Sequence, residues 1–339
     1  MKIAVLGGDG FVGWPTSLHL SNLGHEVHII DNLSRRWIDT ELGVQSLTPM
    51  DSIQERTRIW HLETGRRIHF HLIDIARDYD LLKSWLTEQK PDAIVHFAAE
   101  SHVDRSITGA SDFVLTNVLG TQKLLQAALD AQVGRFVHVS TDEVYGSIDE
   151  GSWTEDEPLL PNSPYSASKA SSDLLARSYH RTFGLDVVIT RCSNNYGPYQ
   201  FPEKVIPLFV TNLMDGQQVP LYGDGLNVRD WLHVDDHCRG IQLVLDGGRA
   251  GEIYNIGGGT ELTNKELTYR LLAAMGAGED MIRTVADRKG HDRRYSVDIS
   301  KISAELGYKP EVPFDAGLAQ TIQWYHDNEA WWRPLKGHA

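Results

Sequence analysis

Cysteine is scarce in this chain, with two among 339 residues, Cys192 and Cys238. Each lies in or beside an apolar stretch, so buried free thiols are expected rather than a disulfide or a metal pair. No apolar run approaches the roughly 20 residues that a membrane-crossing helix needs. The opening MKIAVLGG lacks the basic and apolar regions of a secretory signal and reads directly as a strand. Positive charge is also in short supply: 32 Lys and Arg stand against 46 Asp and Glu, a formal net charge of −14. Such a surface repels phosphate backbones and anionic lipids, which argues against nucleic acid and membranes as partners. A small anionic substrate stays open wherever a few Arg and Lys converge. There is no internal repeat and no low-complexity linker. No His/Cys/Asp cluster has metal-ligand spacing, so no metal is expected, and His96 and His102 read as structural. A soluble, cytoplasmic globular protein is the expectation.

The length suits one large α/β domain and a smaller one. Strand-like runs at 2–6, 26–30, 68–73, 93–97, 135–140 and 186–191 alternate with helix-like stretches at 12–23, 79–88, 113–131 and 165–183. That alternation predicts a Rossmann-like, doubly wound parallel sheet with helices on both faces and a ligand at the carboxyl ends of its strands. Beyond residue 192 the pattern loosens, with short strands at 218–221 and 252–256. The expected division is a dinucleotide-binding domain over 1–192 and a smaller α/β substrate domain over 193–339, with segments of the second returning to the first sheet. The connection from Asp31 to Ile68 is long. It holds Trp37, a turn at Thr48-Pro49 and a helix predicted over 52–62, and reads equally as a surface insertion or as a flap over a cofactor.

Gly7-Gly8-Asp9-Gly10-Phe11-Val12-Gly13 follows the first strand and opens the first helix. In a dinucleotide site Gly7 permits the tight turn, Gly10 lets backbone approach a pyrophosphate, and Gly13 lets the helix pack close to the strand. Asp31 ends the second strand, where a carboxylate accepts bonds from ribose hydroxyls and repels a 2′-phosphate. NAD is therefore expected over NADP, although Arg35 and Arg36 lie near. Asn32, Asp74, Ile75, Ala98 and Ala99 complete the expected cofactor set beside Phe11 and Val12.

Tyr165 and Lys169 are four residues apart, on one face of the predicted helix. A nearby ammonium and a positive nicotinamide ring favour phenolate over phenol, which fits Tyr165 as a base toward a sugar hydroxyl. Ser140-Thr141 ends the preceding strand, and two adjacent carboxylates follow, Asp142 and Glu143.

With these motifs the chain resembles the extended short-chain dehydrogenases/reductases, and more narrowly the dTDP-glucose 4,6-dehydratases. The matching segments are His96–Ser106, Val139–Gly146, Asn162–Lys169, Asn194–Pro198, Leu221–Gly225 with Arg229–Trp231, and Asp287–Arg294. The resemblance implies conversion of dTDP-glucose to the 4-keto-6-deoxy sugar by a homodimer. Dehydration asks more than Thr141, Tyr165 and Lys169: a base for the proton on carbon 5, which suits Glu143, and an acid for the leaving hydroxyl on carbon 6, which suits Asp142. Burial beside another carboxylate would raise the pKa of the acid. The resemblance also places Thr141 at the carbon-4 oxygen. It assigns the nucleotide sugar to Ser101, Asp104, Asn194, Lys204, Tyr222, Arg229, Asn255, Arg288 and His291. The first ninety residues, with Gly7–Trp14, Asp31–Arg36 and the insertion to Gly65, look instead like the UDP-sulfoquinovose synthases. A UDP-sugar enzyme of that kind, or a 4-epimerase, is the alternative activity, and an NAD sensor without catalysis the alternative class.

Overall fold

The computed structural model describes residues 1–34, 52–287, 290–333 and 336. Short aliphatic and β-branched runs form twelve strands among the described residues: β1 (Lys2–Leu6), β2 (Glu26–Asp31), β3 (Ile68–Leu72), β4 (Ala93–His96), β5 (Arg135–Thr141), β6 (Val187–Cys192), β7 (Asn194–Tyr196), β8 (Val219–Tyr222), β9 (Val228–His233), β10 (Ile253–Ile256), β11 (Glu261–Thr263) and β12 (Ile282–Val285). Seven make one sheet in the order β10-β6-β5-β4-β1-β2-β3, with every pair parallel. The order reverses between β1 and β4, the switch point where such sheets open a ligand crevice.

Because helices cover both faces, central strands are apolar on both sides rather than alternating. Ile3, Val5, Val95 and Val137 face one core, packed by Trp14 and Leu20 from the helix Gly13–Asn22 and by Ile241 and Val244 from the helix Val234–Gly247. Ala4, Leu6, Ile94 and Phe136 face the other, packed by Leu82 and Leu86 of Tyr79–Gln89, Leu124 of Thr121–Asp130 and Ala176 of Pro164–Phe183. The last helix starts sharply. Ser163 and Ser166 cap each other's backbone N–H, proline sits in the first turn, and Gly184 closes the far end at φ 72°.

After β6 the chain builds a second layer. β7 and β9 run parallel, β11 joins β9 antiparallel, and β8 pairs with β12. Their core gathers Tyr196, Phe209, Trp231, Leu267 and Phe314. β10 then returns to the main sheet and pairs with β6. Within the long connection the helix runs Ile53–Thr64, and Trp60 Nε1 donates to Ser21 Oγ at 3.0 Å. Trp37, Thr48-Pro49, Arg35 and Arg36 lie outside the described residues.

One helix departs from its predicted form. The stretch expected as a single helix over 113–131 has a widened π-helical turn, Val114–Gly120, before the regular helix Thr121–Asp130. The wide turn carries Asn117, which is buried. Its Oδ1 accepts from Glu100 N at 2.8 Å, and its Nδ2 donates to Glu100 O at 2.9 Å and to Ser168 Oγ at 2.8 Å. One amide thus clasps the loop after β4 to the helix that carries Tyr165. Asn117→Ala strands these buried partners and is expected to cost about 1–3 kcal/mol, read as a lower urea midpoint. An unchanged midpoint would show that the loop does not depend on the clasp.

Candidate active site

The carboxyl ends of β1, β2, β4, β5 and β6 surround a cleft of about 390 Å³. Its floor is the glycine turn. Gly7 has φ 79°, and a Cβ there would lie 2.6 Å from Ala98 N, while one on Gly13 would lie 2.1 Å from Gly7 O. Any side chain at either position collides with backbone, so the turn and the helix start are set by glycine. Gly7, Gly10, Phe11, Val12, Gly13, Asp31, Asn32, Ile75, Ala98 and Ala99 all line the cleft. Asp31 accepts from the backbone N–H of Asp9 at 3.0 Å and of Leu33 at 2.7 Å, which fixes its carboxylate beside the turn. Asp74 is not a lining residue. It accepts from Asn32 Nδ2 at 2.9 Å and from the backbone N–H groups of Ala76 and Arg77, and so shapes the loop after β3.

The insertion helix reaches this floor. Arg56 Nη1 donates to Asp9 Oδ1 at 2.8 Å, and its guanidinium lies 3.9 Å from the Trp14 ring centroid. The connection therefore braces the glycine turn from outside.

Across the cleft, Thr141, Asp142, Glu143, Tyr165 and Lys169 share one wall. Thr141 ends β5 and caps the short helical turn Asp142–Tyr145 by accepting from Glu143 N at 3.3 Å. Its hydroxyl also donates to Asp142 Oδ1 at 3.3 Å and lies near enough to the Tyr165 phenol to favour its ionised form. Asp142 is buried, and its Oδ2 has no hydrogen-bond partner among the described residues. Burial first, then the charges of Glu143 and Asp230, push its pKa well above the ordinary carboxylate range. The expectation of a protonated acid beside an ionised neighbour has its physical basis here.

The protein's own groups do not by themselves favour the Tyr165 phenolate. Burial and the charge of Glu143 raise its pKa well above the usual value. Lys169 does not offset this: its Nζ donates to Val139 O at 2.8 Å, and burial lowers its own pKa. The protein's own groups hold Tyr165 as a neutral phenol, so four-residue helical spacing alone does not make it a base.

Of the expected substrate residues, Ser101, Asn194 and Lys204 line the cleft, and Lys204 Nζ reaches Ser101 O at 3.5 Å. Arg229 is buried behind the acidic pair, near enough for its charge to pull the Asp142 pKa down. It donates to Asp292 O at 3.0 Å and lies over the Tyr295 ring. Asp104, Tyr222 and His291 are not lining residues; Tyr222 is exposed on β8, and His291 Nδ1 lies 2.6 Å from Asp287 Oδ1. Asn255 is not a lining residue either. It is fully buried, with Nδ2 donating to Trp153 O at 2.9 Å and Oδ1 accepting from Tyr145 at 2.9 Å. Arg288 lies outside the described residues.

Several lining residues carry no signal in the sequence: Cys192, Tyr199, Gln200, His237 and Trp331. Cys192, expected as a buried thiol, lines the cleft, and burial with the Asp142 charge pushes it up to about 12. Tyr199, at φ 66°, packs 4.4 Å from Trp324 and 5.8 Å from Trp331. Asn194 Oδ1, Gln200 Oε1 and His237 Nε2 are buried without hydrogen-bond partners among the described residues. A cleft with a glycine cradle at one end and unsatisfied polar atoms at the other fits a long polar ligand such as a dinucleotide, with a second polar molecule beside it.

The comparisons agree with this geometry. The family model described as GDP-mannose 4,6 dehydratase matches residues 4–321. The dTDP-glucose 4,6-dehydratase of Streptomyces antibioticus is 58% identical over 336 residues, covering 99% of this chain and 96% of the relative. DesIV, the dTDP-glucose 4,6-dehydratase of Streptomyces venezuelae crystallised with NAD, superposes with a TM-score of 0.88 at 58% identity, covering 99% of this chain and all of that one. The enzyme from Bacillus anthracis in complex with NAD gives 0.85 at 43% identity and the same coverage. The similarity spans almost the whole chain, including the first ninety residues whose motifs pointed to sulfoquinovose synthases.

Asp142 supplies a test by stability. In the unfolded chain its pKa is about 3.9, and in the fold it is raised. Between the two values the native state holds the extra proton, so stability falls as pH rises through that window. Asp142→Asn removes this dependence. The melting temperature of the variant relative to the parent is expected to rise from pH 4 to pH 7 by scanning fluorimetry. A constant difference would mean that Asp142 is ionised in the fold.

Proposed function

The chain belongs to the GDP-mannose 4,6 dehydratase family and, within it, to the dTDP-glucose 4,6-dehydratases, and we propose that it converts dTDP-glucose to dTDP-4-keto-6-deoxyglucose and water with NAD as cofactor. The observation that carries this reading is the buried Asp142 beside Glu143 on the wall that holds Thr141, Tyr165 and Lys169. An epimerase has no task for that acid pair.

The glycine cradle, the Asp31 carboxylate and the small Ala98 and Ala99 fit NAD, whose dinucleotide would lie across the switch point. When bound, NAD supplies a reversible two-electron acceptor, used at carbon 4 and restored at carbon 6. The residues of the chain do the proton work. Beside the positive nicotinamide ring of bound NAD, a charge the protein's own groups do not supply, Tyr165 would ionise and take the hydroxyl proton at carbon 4, and Thr141 would hold that oxygen as it becomes a carbonyl. The ketone acidifies the hydrogen on carbon 5, which Glu143 removes. Asp142 gives its proton to the hydroxyl on carbon 6, and the C–O bond breaks to release water. Glu143 then returns a proton to carbon 5. The count leaves Tyr165 one proton richer and Asp142 one poorer. Thr141 stands between them, beside the phenol and 3.3 Å from Asp142 Oδ1, and offers the path that resets both. Lys169, fixed on Val139 O, orients the cofactor side of the cleft.

Ser101, Asn194 and Lys204 take the substrate side of the cleft, with Arg229 supporting the acid pair. The same reading makes the protein a cytoplasmic homodimer. Among the described residues no helix is long and apolar enough to cross a membrane. The helical stretches that begin near Phe113 and Tyr165 would pair with their copies across a two-fold axis, and on them Val114, Leu119, Leu174 and Phe183 leave 41–55% of their surface exposed.

Incubation with dTDP-glucose is expected to give a product lighter by one water, with no sulfite required. A sulfonated product from UDP-glucose would replace this reading. Glu143→Gln should keep NAD binding and slow water loss by about 10²–10⁴-fold. A near-normal rate would remove Glu143 from the base role.

A further inference from the structure

Far along the sheet from the acid pair, β2 and β3 carry a second group of chemistry-bearing side chains. The register pairs His28 with His69, and the two-residue period of a strand puts Glu26, His28, His69 and His71 on one face. His28 Nε2 is 2.9 Å from Glu26 Oε1, and His28 Nδ1 is 3.0 Å from His71 Nε2. The rings of His28 and His69 stack at 4.6 Å, and Trp85 covers His28 and His71 at 5.5 and 4.9 Å. One ligand atom from each of Glu26, His28 and His69 lies within 4.8 Å of the other two. None of the four lines the cleft, and the proposed reaction uses none of them.

We propose that Glu26, His28 and His69 form a binding site for a divalent transition ion of the zinc type, which clips β2 to the edge strand β3. Two imidazoles and a carboxylate are ligands that Zn²⁺ accepts, with solvent in the fourth position. Around a tetrahedral ion with bonds near 2.0–2.1 Å, ligand atoms sit about 3.3 Å apart. Glu26 and His28 already stand close to that spacing. His69 is exposed on the last strand, so rotation of its side chain closes the remaining distance.

His71 completes the arrangement as an outer partner. With Glu26 accepting from His28 Nε2–H, His28 Nδ1 accepts from His71. When an ion takes the Nε2 lone pair, the proton sits on Nδ1 and the same bond runs in reverse, into His71 Nε2. Such a partner fixes the tautomer of a metal-ligating histidine. The cation now nearest Glu26 is Lys2, at 3.5 Å, and it keeps a second partner in Gln89 O at 3.1 Å when a dication displaces it.

The test uses untagged, chelator-treated full-length protein titrated with ZnCl₂ by calorimetry. A binding step that His69→Gln weakens at least about tenfold is expected, since even the loss of an outer partner costs 10–100-fold. Zinc should also raise the melting temperature of the parent more than that of the variant, while the variant's dehydration rate stays at the parental value. Should His69→Gln fold poorly, Glu26→Gln, at an exposed position, gives the same comparison. No zinc binding, or equal affinity in parent and variant, overturns the proposal.

Discussion

At the end of β1 the chain turns so tightly that a Cβ on Gly13 would sit 2.1 Å from the Gly7 carbonyl oxygen. That contact seats the first helix against the sheet, points its N-terminal backbone amides into the crevice, and leaves room where the strand order reverses. Asp31 is held by the backbone of Asp9 in this same turn, and Arg56 braces Asp9 from the insertion. The cofactor end of the cleft is thus a backbone construction, with side chains fastening it from behind.

The opposite wall is electrostatic. β5 delivers Thr141, Asp142 and Glu143 into a place where water is largely excluded and cations are few. Arg229 stands behind the pair, and Lys169 is committed to Val139 O. With so little positive charge, one carboxyl keeps its proton and the phenol remains neutral. The site is therefore poised as an acid in its resting form, and its basic partner is the more accessible Glu143.

Much of this was legible in the sequence, for physical reasons. Parallel strands buried on both faces read as continuous apolar runs, and glycines at a turn signal themselves by kind and spacing. So the parallel main sheet, the cradle and the Thr141–Glu143 wall follow closely from the residues. β7, β11 and β12 are too short to show a period. The side-chain hydrogen bonds of Asn255 go to Tyr145, Trp153 and Asp298, far apart in the sequence, so they exist only in the fold. The lining by Tyr199 and Trp331 depends on aromatic stacking between distant segments. The Glu26–His28–His69 group is hidden in the same way: linear spacing shows nothing, because strand register brings the residues together.

The return of β10 to β6 has a bearing on how the molecule is made. During synthesis β6 emerges well before its partner, since Ile189 pairs with Ile253. At ribosomal speeds of about 5–20 residues per second, its open edge waits for several seconds, presenting apolar backbone that another nascent chain can pair with. Arg191, buried against Asp173 in the finished sheet, puts a charge on that waiting edge.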